Sequence, residues 1–173
     1  MSTTVKRMRT TLLLLALTTA LSSMLTACGA GDEAGSSSRE RVEASTTERA
    51  QEAIPLVSEA LGATGVKATA RWQSCMAISW RYEAFASLTV AAGDTAAQLD
   101  AVRTALTGAG YADDTQVDGH VTATRNDTTV DVQPSPIRGK RIWTVTVQSS
   151  CADYDGDDLD RVENDKDQPL DGM

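Results

Sequence analysis

The sequence predicts an α+β domain in which two helices pack on one face of a mostly antiparallel sheet, in the order α-β-β-α-β-β-β-β. Three observations carry this expectation. Residues 66–73 and 80–90 alternate apolar and polar side chains, the period-two signature of strands with one face buried and the other in water. Leu99, Val102 and Leu106 recur at helical spacing; Asp94 or Thr95 can cap that helix, Gln98 completes a capping box from Thr95, and Gly108 and Gly110 stop it. From Tyr111 onward turn signals follow one another closely, which leaves room only for short strands.

The first helix is read from Ser45. Ser45 and Glu48 form a capping box, and Ala50, Ile54, Val57 and Leu61 give an apolar stripe at spacings of three and four. Pro55 removes a backbone donor inside that stripe, so a kink or break is expected there. Gly62 and Gly65 end the element. In the first strand Val66, Ala68, Ala70 and Trp72 face one way, with Lys67, Thr69, Arg71 and Gln73 opposite. In the second, Trp80, Tyr82, Ala84, Ala86, Leu88 and Val90 are opposed by Arg81, Glu83, Ser87 and Thr89, and the chain must turn within residues 74–79. Beyond the second helix, Val117-Asp118-Gly119-His120-Val121 signals a hairpin, because Asp-Gly accepts the positive φ of a tight turn. Asn126-Asp127 marks a further turn, and Pro134-Ser135-Pro136 with Gly139 a longer one. The final strand, from Arg141 to Ser149, sets Trp143, Val145 and Val147 on one face.

Ahead of this domain lies an export signal. Lys6, Arg7 and Arg9 precede an apolar run from Leu12 to Leu17, small residues continue to Ala27, and no acidic residue comes before Asp32. The apolar run is shorter than the ~20 residues that a membrane-spanning helix needs. Its end, Leu25-Thr26-Ala27-Cys28, resembles the bacterial lipobox. The resemblance implies cleavage before Cys28, a signal peptide over residues 1–27 and lipid on the Cys28 sulfur. Each buried methylene adds ~0.8 kcal/mol of membrane affinity, and stable anchoring takes more than one chain, which a lipobox cysteine would supply. Residues 28–44 are Gly/Ser-rich and then charged, with no apolar period, and read as a tether of roughly 20–25 Å reach. Residues 45–151 are then the domain.

The chain carries 16 Lys+Arg and 24 Asp+Glu, and loss of Lys6, Arg7 and Arg9 with the signal moves the net charge from −8 to −11. Nucleic acid and anionic bilayer surfaces both need an excess of cations. No nucleic acid is therefore expected as a partner, and the membrane is expected only through the lipid anchor. Residues 152–173 hold nine acidic and two basic side chains and read as a disordered acidic tail. Within it, Asp153, Asp155 and Asp157 belong to an Asp-x-Asp-Gly-Asp run similar to the start of thrombospondin type 3 and EF-hand-like calcium loops. The match fails further on: with Gly156 as the sixth loop residue, the first ligand falls on Cys151 and the twelfth on Val162.

Reactive constellations are missing from the sequence. His120, the only histidine, sits beside the Asp-Gly turn without a second histidine to share a metal. A hydroxyl or thiol nucleophile would have no other imidazole to take its proton. Asp113 and Asp114 are adjacent, and neighbours on a strand point to opposite faces. No phosphate-cradling glycine loop follows a strand. No catalytic residue, metal or cofactor is expected. Arg138, Lys140 and Arg141 cluster in the last long loop and offer an anion contact, although charges at a hairpin tip also serve simply to protect a sheet edge. The three cysteines complete the inventory. With Cys28 lipidated, Cys75 and Cys151 form an even pair in an oxidising compartment, where a disulfide is expected between the ends of two strands.

Trp72-Gln73-Ser74-Cys75 at a strand end, Trp80-Arg81-Tyr82 opening the next, Gly110-Tyr111 closing a helix and Ser149-Ser150-Cys151 ending the last strand resemble small actinobacterial cell-envelope lipoproteins of the LppA-like group. The resemblance spans residues 45 to 151 and implies architecture and compartment but no catalytic residue; the acidic tail departs from it. The functional expectation is a membrane-anchored extracytoplasmic lipoprotein, not an enzyme, acting as a binding or scaffolding module for an envelope partner. The alternative is a carrier of a small ligand or lipid, which needs a pocket between helices and sheet of ~300–1,000 Å³.

Overall fold

A computed structural model describes residues 38–139 and 141–170. The signal peptide, Cys28 and Lys140 lie outside the described residues. The chain runs through α1 (Ser38–Ala60), β1 (Gly65–Met76), β2 (Ser79–Thr89), α2 (Thr95–Gly108) and β3 (Ala112–Asp113). It continues through β4 (Val121–Arg125), β5 (Thr128–Pro134), β6 (Ile142–Ser149), β7 (Ala152–Asp153), α3 (Gly156–Asn164) and β8 (Gln168–Pro169). Every strand pairing is antiparallel, in one sheet of order β3-β4-β5-β6-β2-β1-β8, with β7 also beside β2. The protein is α+β.

The alternation in the strands builds the core. Ala70, Trp72, Tyr82, Ala84, Ala86 and Leu88 are buried on the face that meets the helices, joined by Val130, Val132, Trp143, Val145 and Val147 from β5 and β6. Against them α1 sets Ala50, Ala53, Ile54 and Val57, and α2 sets Leu99, Val102 and Leu106. These side chains form the core between the helices and the sheet. Both helices end on a glycine with positive φ, Gly62 (φ 57°) and Gly110 (φ 86°). In each case the glycine and the next residue donate to carbonyls of the last turn: Gly62 to Glu59 and Ala63 to Ser58, Gly110 to Thr107 and Tyr111 to Leu106. This pattern satisfies orphan carbonyls and turns the chain back toward the sheet. Asp94 caps α2, accepting from the Ala97 amide at 2.8 Å.

Several local expectations are corrected. The helix begins at Ser38, so residues 38–44 belong to α1 rather than to a flexible tether. Arg39 pairs with Glu43 one turn on, and the buried row runs back from Ala50 through Thr46, whose polarity hides it from a hydropathy reading. Ser45 is therefore inside the helix, bonding back to the Val42 carbonyl, and caps nothing. Pro55 does not end the helix; it sits on the exposed side. Val117 is exposed and outside any strand, and the partner of β4 is β3, with Gly119 (φ 82°) in the connection.

The largest correction concerns residues 152–170, expected to be a disordered tail. They form β7, α3 and β8, and bury Tyr154, Val162 and Leu170. Tyr154 meets Trp72 edge-on with ring centroids 5.3 Å apart, and Trp72 meets Tyr82 at 5.2 Å. The apolar residues are spaced eight apart among carboxylates, too sparse to register as a periodic stripe, yet all three are buried in the core.

One charged cluster braces the helix–sheet junction. Arg125 lies 4.2 Å above the Tyr111 ring, donates to the Ala109 carbonyl at the end of α2, and pairs with Glu52, which Arg49 also contacts at 3.2 Å. Hydrogen bonding from Arg125 holds the Glu52 carboxyl below its ordinary value of 4.5. The folded state thus favours the ionised form, and that stability is present above pH 4.5 and lost as pH falls through the lowered pKa. Glu52→Gln should cost about 1 kcal/mol at neutral pH, a value kept small by partial exposure. Melting temperatures of the two proteins, measured from pH 7 down to pH 3, should converge on the acid side.

Candidate functional site

The two ends of the domain differ. The Thr64 amide, just past α1, bonds the Thr89 carbonyl at the end of β2; Val90 bonds Arg141, and Thr89 pairs with Ile142. The C-terminal end of α1 therefore lies at the same end as the β5–β6 loop, residues 135–141. At ~1.5 Å per residue, the 23-residue α1 is roughly 34 Å long, and its N-terminal residue, Ser38, lies at the opposite end. At that end are the β1–β2 hairpin, with exposed Met76 and Ile78, and the Cys75–Cys151 bridge.

The disulfide is present, with a Cα–Cα distance of 6.4 Å across 76 residues of sequence. Its geometry is local. Ser74 opposes Trp80 and Met76 opposes Ser79, which leaves Cys75 as the extra residue of a bulge; a bulge re-aims a side chain off the pleat. Cys151 sits in the break between β6 and β7, both of which pair with β2. The bridge thus joins the two neighbours of β2 at this end.

At the far end, the 135–141 loop is held by backbone bonds from Ser135 to Ile142, Arg138 to Ser135, Gly139 to Pro136 and Ile142 to Gly139. It presents Ile137, which is 99% exposed. Of the three cations expected to converge there, Lys140 lies outside the described residues, Arg141 is exposed, and Arg138 folds over the sheet, 4.7 Å from the centre of the Phe85 ring. Arg138 is thus directed to the sheet rather than to the loop tip.

That contact points to the sheet face away from the helices. Phe85 is the one aromatic on the outward positions of β2, and its place among polar neighbours is the signal that alternation alone passes over. Along the same outward positions, Glu83 is nearly buried between Arg71 (3.5 Å) and Arg81 (3.8 Å). Arg138 over Phe85 and the Arg71–Glu83–Arg81 group form a continuous outward row of fixed, partly desolvated polar groups on β1 and β2. Such a row can dock a flat polar partner, and its one carboxylate, Glu83, lies between two guanidinium groups.

The remaining candidates are dispersed. His120 Nδ1 is 3.6 Å from Asp131, which Thr122 also contacts at 3.0 Å. Asp113 accepts from Thr115 and pairs with Arg103 at 3.1 Å; the Thr115 bonds hold its carboxyl below the usual range. Asp153 lies in β7, Asp155 precedes α3 and Asp157 is in its first turn, where the helix dipole favours negative charge. Among the described residues no three His, Cys, Asp or Glu side chains gather as a metal site, so the calcium-loop resemblance does not produce a cage. No described helix is long and apolar enough to cross a membrane. In comparisons with protein families, with curated proteins and with solved structures, the chain matches none.

Proposed function

We propose that this chain is an extracytoplasmic lipoprotein, anchored through Cys28, that serves as a non-catalytic binding or scaffolding module of the cell envelope. The observation that carries the reading is the separation of the two ends of the domain: Ser38, the first residue of α1, lies at one end, and the loop bearing Ile137 at the other. Anchoring at the first end holds the second away from the bilayer. The outward row of Arg138–Phe85 and Arg71–Glu83–Arg81 then faces sideways into the envelope, where it can meet a partner.

Cross-linking in intact cells tests this. A photoreactive residue in place of Ile137 should give a discrete adduct, reduced at least several-fold by Arg138→Glu and unchanged by Asp157→Asn near the Ser38 end. The same adducts with and without Arg138→Glu would contradict the use of this end.

A further inference from the structure

We propose that the tip of the β1–β2 hairpin, Met76-Ala77-Ile78, is a second membrane contact, which seats its apolar side chains among the lipids of the bilayer to which Cys28 is anchored. The inference rests on the lipoprotein reading and deepens it: the domain meets the membrane at two points rather than one.

Turn chemistry does not account for this tip. Met76 pairs with Ser79, so Ala77 and Ile78 are the two residues of the hairpin loop. Two-residue loops favour Asn, Asp and Gly, which tolerate positive φ. The β4–β5 turn follows that rule with Asn126 (φ 54°) and Asp127. The β1–β2 loop has none of these residues and no positive φ. Instead Met76 is 75% exposed and Ile78 52%, the one place among the described residues where two large apolar side chains are exposed together. Neighbouring exposed apolar groups of this kind mark a contact surface.

The tip also projects. The β4–β5 turn closes at Arg125–Thr128, and Thr128 pairs with Ser149, whose Oγ accepts from the Tyr82 amide at 3.0 Å. The β1–β2 turn closes at Met76–Ser79, three residues beyond Tyr82 along β2. At ~3.3 Å per residue it stands roughly 10 Å further out.

Chain length brings this tip to the bilayer. Ser38 lies at the same end: its neighbour Arg39 acts electrostatically on the Tyr154 phenol, and the Tyr154 amide donates to the Ile78 carbonyl at 3.1 Å. Ser38 is ten residues on from Cys28, at most ~36 Å of chain. A lipid on Cys28 therefore keeps the tip within reach of the membrane, and the second contact becomes an intramolecular event at high effective concentration. Two apolar side chains, too few to hold a free protein on a membrane, then suffice to orient an anchored one. Charge selects the lipid. Asp153, exposed and paired with Ser79, sits beside the tip, and the chain as a whole is at −8. The surface that fits is zwitterionic lipid, entered by apolar side chains and not drawn in by charge.

The test uses the mature protein made from the full chain, in phosphatidylcholine vesicles, with a diazirine-bearing residue in place of Ala77. On irradiation its intact mass should rise by that of one phospholipid. The same residue in place of Ile137 should give at least several-fold less of this product. Met76→Ser with Ile78→Ser, both at exposed positions, should reduce the Ala77 product about as much. Phosphatidylglycerol mixed into the vesicles should not raise the yield. Cross-links to residues 29–37 or to a second copy, equal lipid adducts from Ala77 and Ile137, or a yield that rises with anionic lipid would overturn the proposal. The intact mass also reads the acyl chains on Cys28. A lipidated chain without the Ala77 adduct removes the tip contact alone, whereas a chain without lipid removes the anchor as well.

Discussion

Replacing Cys75 and Cys151 together by serine should destabilise the domain by ~4 kcal/mol, the loop-entropy value for a bridge closing this many residues. For a domain of this size that lowers the melting temperature by roughly 10–20 °C. The effect is large because of what the bridge joins. β1 and β6/β7 flank β2, and the last covalent tie before the arm of residues 152–170 leaves from Cys151. Thermal melts of wild type and double variant, each under non-reducing conditions, make the comparison. Equal melting temperatures would mean that the bridge adds nothing to the fold.

Val162→Asp should be nearly as costly, about 3 kcal/mol, since it exchanges a fully buried side chain for a charge with no partner. Its signature differs from that of the disulfide variant. The arm should come away from Trp72 while the sheet persists, so protease should cut within residues 153–168 and the tryptophan emission should move to longer wavelength. Wild-type protein should resist cleavage there under the same conditions. If wild type and variant are cut alike, residues 152–170 are a tail and not part of the domain.

The arm also shows where the sequence was legible and where it was not. Alternation in residues 66–73 and 80–90 and the spacing Leu99–Val102–Leu106 became β1, β2 and α2 because each buries one continuous face. Cysteine parity led to the bridge without geometry. The start of α1 was hidden by Thr46, a polar residue in a fully buried position, and by a local Ser45–Glu48 pattern that the longer helix overrode. The arm was hidden because its three buried residues are scattered among carboxylates, and what orders them is tertiary, as in the edge-on contact of Tyr154 with Trp72. The outward row on β1 and β2 depends on a loop residue, Arg138, reaching back over Phe85, a contact between residues 53 apart that no period encodes. In the cation cluster, sequence proximity could not show that Arg138 reaches back to the Phe85 ring on the sheet.

The proposed function rests above all on the anchor, and metabolic labelling tests it most directly. Cells expressing the full chain are fed a fatty acid carrying an alkyne, and the purified protein is read for incorporated label. Wild type should be labelled and partition with membranes, and Cys28→Ala should lose both properties. Label retained by Cys28→Ala, or no label on wild type, would contradict the account.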